Sequence, residues 1–314
     1  MCALFAAAPR QGCAQGTLSK EGALFLLVPV GARAVGMGQA VVASQPGSEG
    51  LWWNPASMAR IDKTEFSLDH SQTVVATGDA LSIVKPAGRA GVISGAAYLV
   101  DYGQQDATDQ GGAIGTLLPR SVVLAASYAA PFGARVNAGL TYKFVQSRLD
   151  CTGSCGNVAT FNVSTSAFDA GMQVVVDSAG RLVLGIAVRN LGLRLQMNDN
   201  AQADPLPTRI HAGAQYLVPG VEHSVPGGEL RVTAEIVGNS TFASPSLRAG
   251  GEFVYKQQYS LRAGFVSGSG DAAGAAIGLG FQRRGIGMDF ARAFGGFSSD
   301  AGKPPTYLTL RLRF

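Results

Sequence analysis

Charge is what this chain has least of. Only 15% of its 314 residues are Asp, Glu, Lys or Arg, against roughly 25% in soluble globular proteins. Lys and Arg occur singly or as dipeptides and the net charge is only +4, so there is no basic footprint for nucleic acid. Long apolar runs are lacking too. No window offers the 18 or so apolar residues of a transmembrane helix, and the best, residues 23–31, stops just short of Arg33. The three histidines, His70, His211 and His223, are isolated from one another and from the cysteines, which leaves no metal-ligand spacing. No scattered carboxylate pair suggests acid–base chemistry. Gly153-Ser-Cys-Gly156 lacks the strand–turn–helix setting of a nucleophile elbow. Gly268-Ser-Gly270 and Gly278-Leu-Gly280 precede no helix that would bind phosphate. The expectation is therefore no catalytic residue, no cofactor and no metal.

Glycine and alternation are what is there. The chain holds 42 glycines, and beyond Arg60 apolar and small or polar residues alternate along short segments bounded by turns. The last segment shows the pattern best: Leu308, Leu310, Leu312 and Phe314 share one face, Thr309, Arg311 and Arg313 the other. In a soluble sandwich the leucines would be core; in a membrane barrel they face lipid and the arginines a polar lumen. Read backwards, the same rule predicts strands at 64–70, 78–86, 90–100, 120–130, 135–148, 165–176, 182–195, 208–218, 229–238, 246–256, 258–267, 273–283, 285–294 and 306–314. Short turns such as Pro131-Phe-Gly133 and Arg284-Gly285 alternate with longer connections at 101–119, 149–164, 196–207, 219–228, 268–272 and 295–305. An even strand number with short turns on one rim and long loops on the other describes a bacterial outer-membrane barrel. Tyr98, Tyr128, Phe144, Tyr216, Tyr255, Tyr259 and Phe290 fall where an interfacial girdle would put them, although β-propensity alone also accounts for them. A soluble lectin-like sandwich is the competing fold, and a gel-mobility change on heating separates the two.

Two further regions stand outside the repeat. Residues 1–14 look like a signal peptide shortened at its start, with Gly12-Cys13-Ala14 as the cleavage site. A lipoprotein cut before Cys13 is the rival, with Arg10, Gln11 and Gly12 making a poor lipobox. Removal of Cys2 and Cys13 leaves Cys151 and Cys155, in a turn-rich loop where an exported protein would form a local disulfide; a metal there would need two further ligands. The other region is residues 31–60, GARAVGMGQAVVASQPGSEGLWWNPASMAR, with five glycines, adjacent tryptophans and an Asn-Pro-Ala turn. It fits neither helix nor strand and reads as a special element that the repeating part receives. Glycines at 31, 36 and 38 allow close approach to a wall and positive φ, and Pro55 can begin a short helix capped by Asn54.

Gly31-Ala-Arg-Ala34, Gly36-Met-Gly38, residues 40–43 and Trp53-Asn-Pro-Ala56 resemble, in order and spacing, the amino-terminal signature of the PorV/PorQ family, a branch of the FadL-like outer-membrane barrels. Val188-Arg-Asn-Leu-Gly192, Leu206-Pro-Thr-Arg-Ile-His-Ala-Gly213 and Leu261-Arg-Ala-Gly264 are similar to that family's later landmarks. Gln39 departs from it, standing where a third glycine is usual. The resemblance implies an all-β, transmembrane antiparallel barrel of about fourteen strands over residues 63–314 in the bacterial outer membrane. It also implies that residues 15–62 fold as a hatch or plug, with Gly31, Arg33, Gly36, Met37, Gly38, Trp53, Asn54 and Pro55 as its signature. Within it Arg33 would need a carboxylate partner, for which Asp169 and Asp289 are candidates; a solvated Arg33 in a mobile leader is the alternative. Two functions follow. One is a type IX secretion-associated role, holding secreted proteins or secretion-system components at the surface, with Leu117, Leu118, Phe294 and Phe297 as candidate rim contacts. The other is a FadL-like, hatch-gated transporter of hydrophobic small molecules. Outer-membrane lipid is the surrounding partner in both.

Overall fold

A computed structural model describes residues 21–44, 47–155, 160–196, 203–242, 245–268 and 273–314; residues 1–20, with the expected signal peptide, lie outside that part. Fourteen strands close into one antiparallel barrel. In chain order they are β1 Glu65–Gln72, β2 Thr77–Pro86, β3 Val92–Asp101, β4 Gly112–Phe132, β5 Val136–Gly153, β6 Phe161–Val175 and β7 Leu182–Gly192. The second half comprises β8 Arg209–Val218, β9 Gly228–Gly238, β10 Ser246–Tyr255, β11 Tyr259–Val266, β12 Gly274–Arg283, β13 Ile286–Ala293 and β14 Thr306–Arg313. Each strand pairs with its chain neighbours, and β14 returns to β1 through Phe66↔Leu312 and Leu68↔Leu310. No strand edge is left open around the wall, as a membrane interior requires.

Alternation sets the two faces of this wall. Leu140, Phe168, Ile186, Leu261 and Leu279 point outward and are exposed, Leu140 by 63%. Ser67, Asp69, Thr141, Asp169, Glu252, Arg262, Asp289 and Thr309 point inward and are buried. An apolar exterior around a charged interior inverts a water-soluble protein. Such a continuous apolar belt on a closed barrel is matched by lipid, and it places the chain in the bacterial outer membrane. Tyr128, Tyr216 and Tyr259 lie on this outer face. Tyr98, expected in the same girdle, instead faces inward and packs edge-on against Trp52, their ring centres 5.8 Å apart.

Two expected loops are largely strand. β4 and β5 stay paired out to Gly115↔Gly153, and a short strand Gln105–Asp109 adds to β4. Backbone pairing continues here past the level where lipid demands an apolar face, so the sequence loses its alternation while the sheet persists. Cys151 and Cys155, at the end of this projection, are joined by a disulfide across a Cα–Cα distance of 6.3 Å.

Candidate functional site: the amino-terminal segment and two lumenal cavities

The segment before β1 lies against the inward face of the wall. It contains only short turns of helix, Leu24–Leu27, Ala32–Gly36, Gly50–Trp53 and Pro55–Met58. Among the described residues it has no sheet or long helix of its own, so it is an irregular run of chain and not a folded plug domain. Residues 29–44 and 47–56 are buried throughout.

Glycines on the wall make this packing possible. A Cβ on Gly264 would stand 2.0 Å from the Gly38 nitrogen, one on Gly250 2.2 Å from the Met37 carbonyl, and one on Gly185 2.5 Å from the Val42 carbonyl. Gly139 meets Pro55 and Gly171 meets the Asn54 side chain in the same way. Strand-interior glycines mark places where another backbone comes close, and here they form a seat running across β5, β6, β7, β10 and β11. On the segment side Gly31 and Gly38 have φ of 94° and 59°. Gly36 needs space more than conformation, because its Cβ would lie 3.0 Å from the Gly278 Cα.

Polar contacts fix the segment in register. Inward side chains take its backbone N–H groups: Ala32 donates to Thr309 Oγ1 (2.9 Å), Val42 to Glu235 Oε2 (2.8 Å) and Ser48 to Glu65 Oε1 (2.8 Å). Asn54 Oδ1 accepts from the Ala56 N–H (3.1 Å) at the start of the Pro55 turn, while its Nδ2 donates to the Val42 carbonyl (2.7 Å). Trp53 Nε1 donates to the Val30 carbonyl (2.8 Å) and Trp52 Nε1 to Ser82 Oγ (2.9 Å). These bonds satisfy groups that burial would otherwise leave costly.

Arg33 is buried and paired, with neither of the expected carboxylates. Its Nε and Nη2 donate to the two oxygens of Glu252 (3.0 and 2.7 Å), and Nη1 to the Ser44 carbonyl (2.8 Å). Asp169 is occupied by Lys143 (2.5 Å), and Asp289 by Arg262 (2.5 Å) and Arg311. Arg262 also donates to Glu252 (2.7 Å), and Arg311 reaches Glu49 (3.3 Å). One chain of alternating charge thus links Arg33 and Glu49 of the segment to β10, β11, β13 and β14. Burial raises the Glu49 carboxyl above the usual range, opposed by Arg311.

Two cavities open on opposite sides of the segment. The outer one, of about 730 Å³, lies under the long-loop rim. Leu24, Leu27, Val28, Val75, Val237 and Val266 give it apolar walls, and Gln39, Arg189, His211 and Arg248 a polar floor. The other, of about 470 Å³, faces the short-turn rim and is lined by Arg231, Gln257, Gln282, Arg311 and Arg313 among others. The same strands serve both: Arg248 of β10 lines the outer cavity and Val254 the inner, and Tyr307 and Arg313 of β14 divide likewise.

No family model matches the chain, and no curated protein matches it in sequence. Solved structures match it in shape. They include the toluene transporter TbuX of Ralstonia pickettii (TM-score 0.60, 13% identity, covering 90% of this chain and 98% of that one). A FadL homologue of Pseudomonas aeruginosa gives 0.56 at 11% identity (91% and 98%), and the P. putida toluene transporter TodX 0.58 at 10% (90% and 98%). The fold is that of the FadL-like outer-membrane barrels.

Within that fold the remaining candidate residues separate. Leu117 and Leu118 are half-buried in the β4 extension, opposite Cys151 and Asp150. Phe294 is exposed just beyond β13, beneath the Arg292 guanidinium; the Phe297 side chain lies outside the described part. The β4 and β13 positions are five strands apart round the barrel and form no common patch. Sequence reasoning missed the wall glycines, Glu252, Glu235 and the cavity floor. Gly139, Gly171, Gly185 and Gly264 were detectable as glycines interrupting strand interiors, and residues 24–28 as an apolar run bordering the signature.

Proposed function

We propose that the protein carries small hydrophobic molecules across the outer membrane, with the amino-terminal segment as its hatch. The outer cavity carries this reading: it is apolar-walled, opens below the long-loop rim, and stops at the segment. That rim faces outward in barrels of this build, so a ligand entering from outside meets a cavity with leucine and valine in its walls. A cavity of this size with a few polar groups suits a small ligand. Similarity to barrels described as toluene transporters supports the same reading. The secretion-associated role implied by the PorV/PorQ resemblance draws no support from these neighbours, and its candidate rim residues do not converge.

Uptake of labelled n-butylbenzene by a host whose outer membrane excludes it tests the proposal. Cells producing the barrel should accumulate the label faster than vector controls, and Leu27→Asp with Val237→Asp should abolish the gain. Uptake at the control level by a barrel that still shifts on unheated gels refutes it.

A further inference from the structure

One carboxylate of the buried charge chain has no cation. Asp69, inward on β1 and 7% exposed, makes no ion pair among the described residues, because each guanidinium near it is committed elsewhere. Arg311 serves Glu49 (3.3 Å) and Asp289, Arg313 serves Glu65 (2.6 Å), and Arg262 serves Glu252 (2.7 Å) and Asp289 (2.5 Å). What Asp69 meets instead is two hydroxyls, Thr309 Oγ1 (2.6 Å) and Ser67 Oγ (3.4 Å), and a second carboxyl, that of Glu49, hydrogen-bonded to its own. β2 on its other side turns only Gly78, Ala80, Ser82 and Val84 inward and adds no charge.

The hydrogen bonds at this joint balance only with one more proton. Thr309 Oγ1 accepts the Ala32 N–H (2.9 Å) and has a single proton of its own, which the short contact gives to Asp69. Glu49 Oε1, 3.3 Å from the same oxygen, therefore draws no proton from it. Ionised carboxylates are acceptors only, so a bond between the Glu49 and Asp69 carboxyls needs a proton on one of them. Two bare anions in a site closed to water would repel strongly, which is how paired carboxyls come to share one proton. The joint is shaped for the contact: a Cβ on Gly31 would stand 2.2 Å from Glu49 Oε1, and the lack of one admits the carboxyl. Burial of Glu49 favours its protonated form, against the pull of Arg311 and with the push of Asp289 and Glu65.

We propose that Glu49 and Asp69 form a proton-sharing pair that fastens the amino-terminal segment to β1 and β14, so that the seating of the segment depends on pH. The inference rests on the hatch reading of the segment and not on what the barrel transports. Glu49 immediately precedes the turn Gly50–Trp53, whose Trp52 is bonded to Ser82, so release of the pair frees the tryptophans with it. In the seated state the pair binds a proton that two water-exposed carboxylates would give up above their ordinary range of about 4. Acid therefore favours seating. As pH rises from that range, seating weakens by up to about tenfold per unit, the limit for one proton, until the pair itself is ionised.

Infrared spectra of the full-length barrel in lipid nanodiscs test the proton directly. Wild type at about neutral pH should show the carbonyl stretch of a protonated carboxyl, and Asp69→Asn should lose it, since Glu49 then stands as an anion against Arg311. Glu49→Gln, a change in the segment and not in the wall, gives the same comparison should Asp69→Asn fail to fold. In planar bilayers the conductance fluctuations of wild type should grow from about pH 5 to about pH 9, while both variants, which keep a neutral partner in place, should stay quiet throughout. No such band in wild type, or a band surviving in both variants, overturns the shared proton. Wild-type conductance that is flat with pH, or that climbs equally in the variants, overturns its hold on the segment. Neither result bears on uptake of n-butylbenzene, which decides the transport reading by itself.

Discussion

Gly264→Ala adds one methyl group to the inner wall, and the structure says where it goes. The new Cβ would lie 2.0 Å from the Gly38 nitrogen and 2.5 Å from its Cα. Ordinary contact begins near 3.4 Å, so one backbone must retreat by about 1.4 Å. β11 is held by ladders to β10 and β12 on either side, whereas residues 37–40 are held by no ladder, so the segment gives way. Overpacking of this kind costs about 1–3 kcal/mol. A mid-range 2 kcal/mol would shift the seated-to-displaced ratio roughly 30-fold. Gly95→Ala is the matched control, since its nearest neighbour within 4 Å is the Ala125 carbonyl at 3.9 Å. In planar bilayers Gly264→Ala should raise ionic conductance and its fluctuations, Gly264→Ala with Gly250→Ala should raise them further, and Gly95→Ala should match wild type. Indistinguishable conductance of Gly264→Ala and Gly95→Ala would refute the idea that the segment is seated on wall glycines.

Three other outcomes are expected. Glu252→Gln removes the charge shared by Arg33 and Arg262; breaking such a buried pair costs about 3–5 kcal/mol, and a double-mutant cycle with Arg33→Gln on thermal gel shifts should show coupling above about 1 kcal/mol. Leu279→Arg, outward on β12 midway along its pairing with Leu261 and Phe290, should cost about 2–4 kcal/mol in lipid, and Leu193→Arg at the rim almost nothing; equal folding titrations for the two would contradict the lipid-facing belt. Replacing Cys151 and Cys155 by Ser should cost at most about 2 kcal/mol, since so short a loop constrains little, and should leave the gel shift of the barrel unchanged.

The wall was legible because lipid on one side and a polar lumen on the other impose a period of two on every crossing. Leu308, Thr309, Leu310 and Arg311 announce their faces without help from any neighbour. The rule lapses at Asp106, Thr108 and Ala113, which continue the sheet above the membrane without an apolar side, and there strands were mistaken for loop. Arg33 shows a different limit. That a buried cation needs a carboxylate follows from chemistry, but whether Asp169, Asp289 or Glu252 supplies it depends on which strand passes beneath it, a long-range fact.

The bond between the Ala32 N–H and Thr309 Oγ1 spans 277 positions of sequence, and Glu49 depends on Arg311 of the same final strand. Contacts so remote must await closure of the longest loop in the chain. The segment precedes every barrel strand in the chain, but its docking sites on β14 exist only after that strand has joined β1. Seating of the segment is thus complete only in a finished barrel: one that fails to incorporate β14 loses the Ala32–Thr309 and Glu49–Arg311 contacts, while those to the other strands remain.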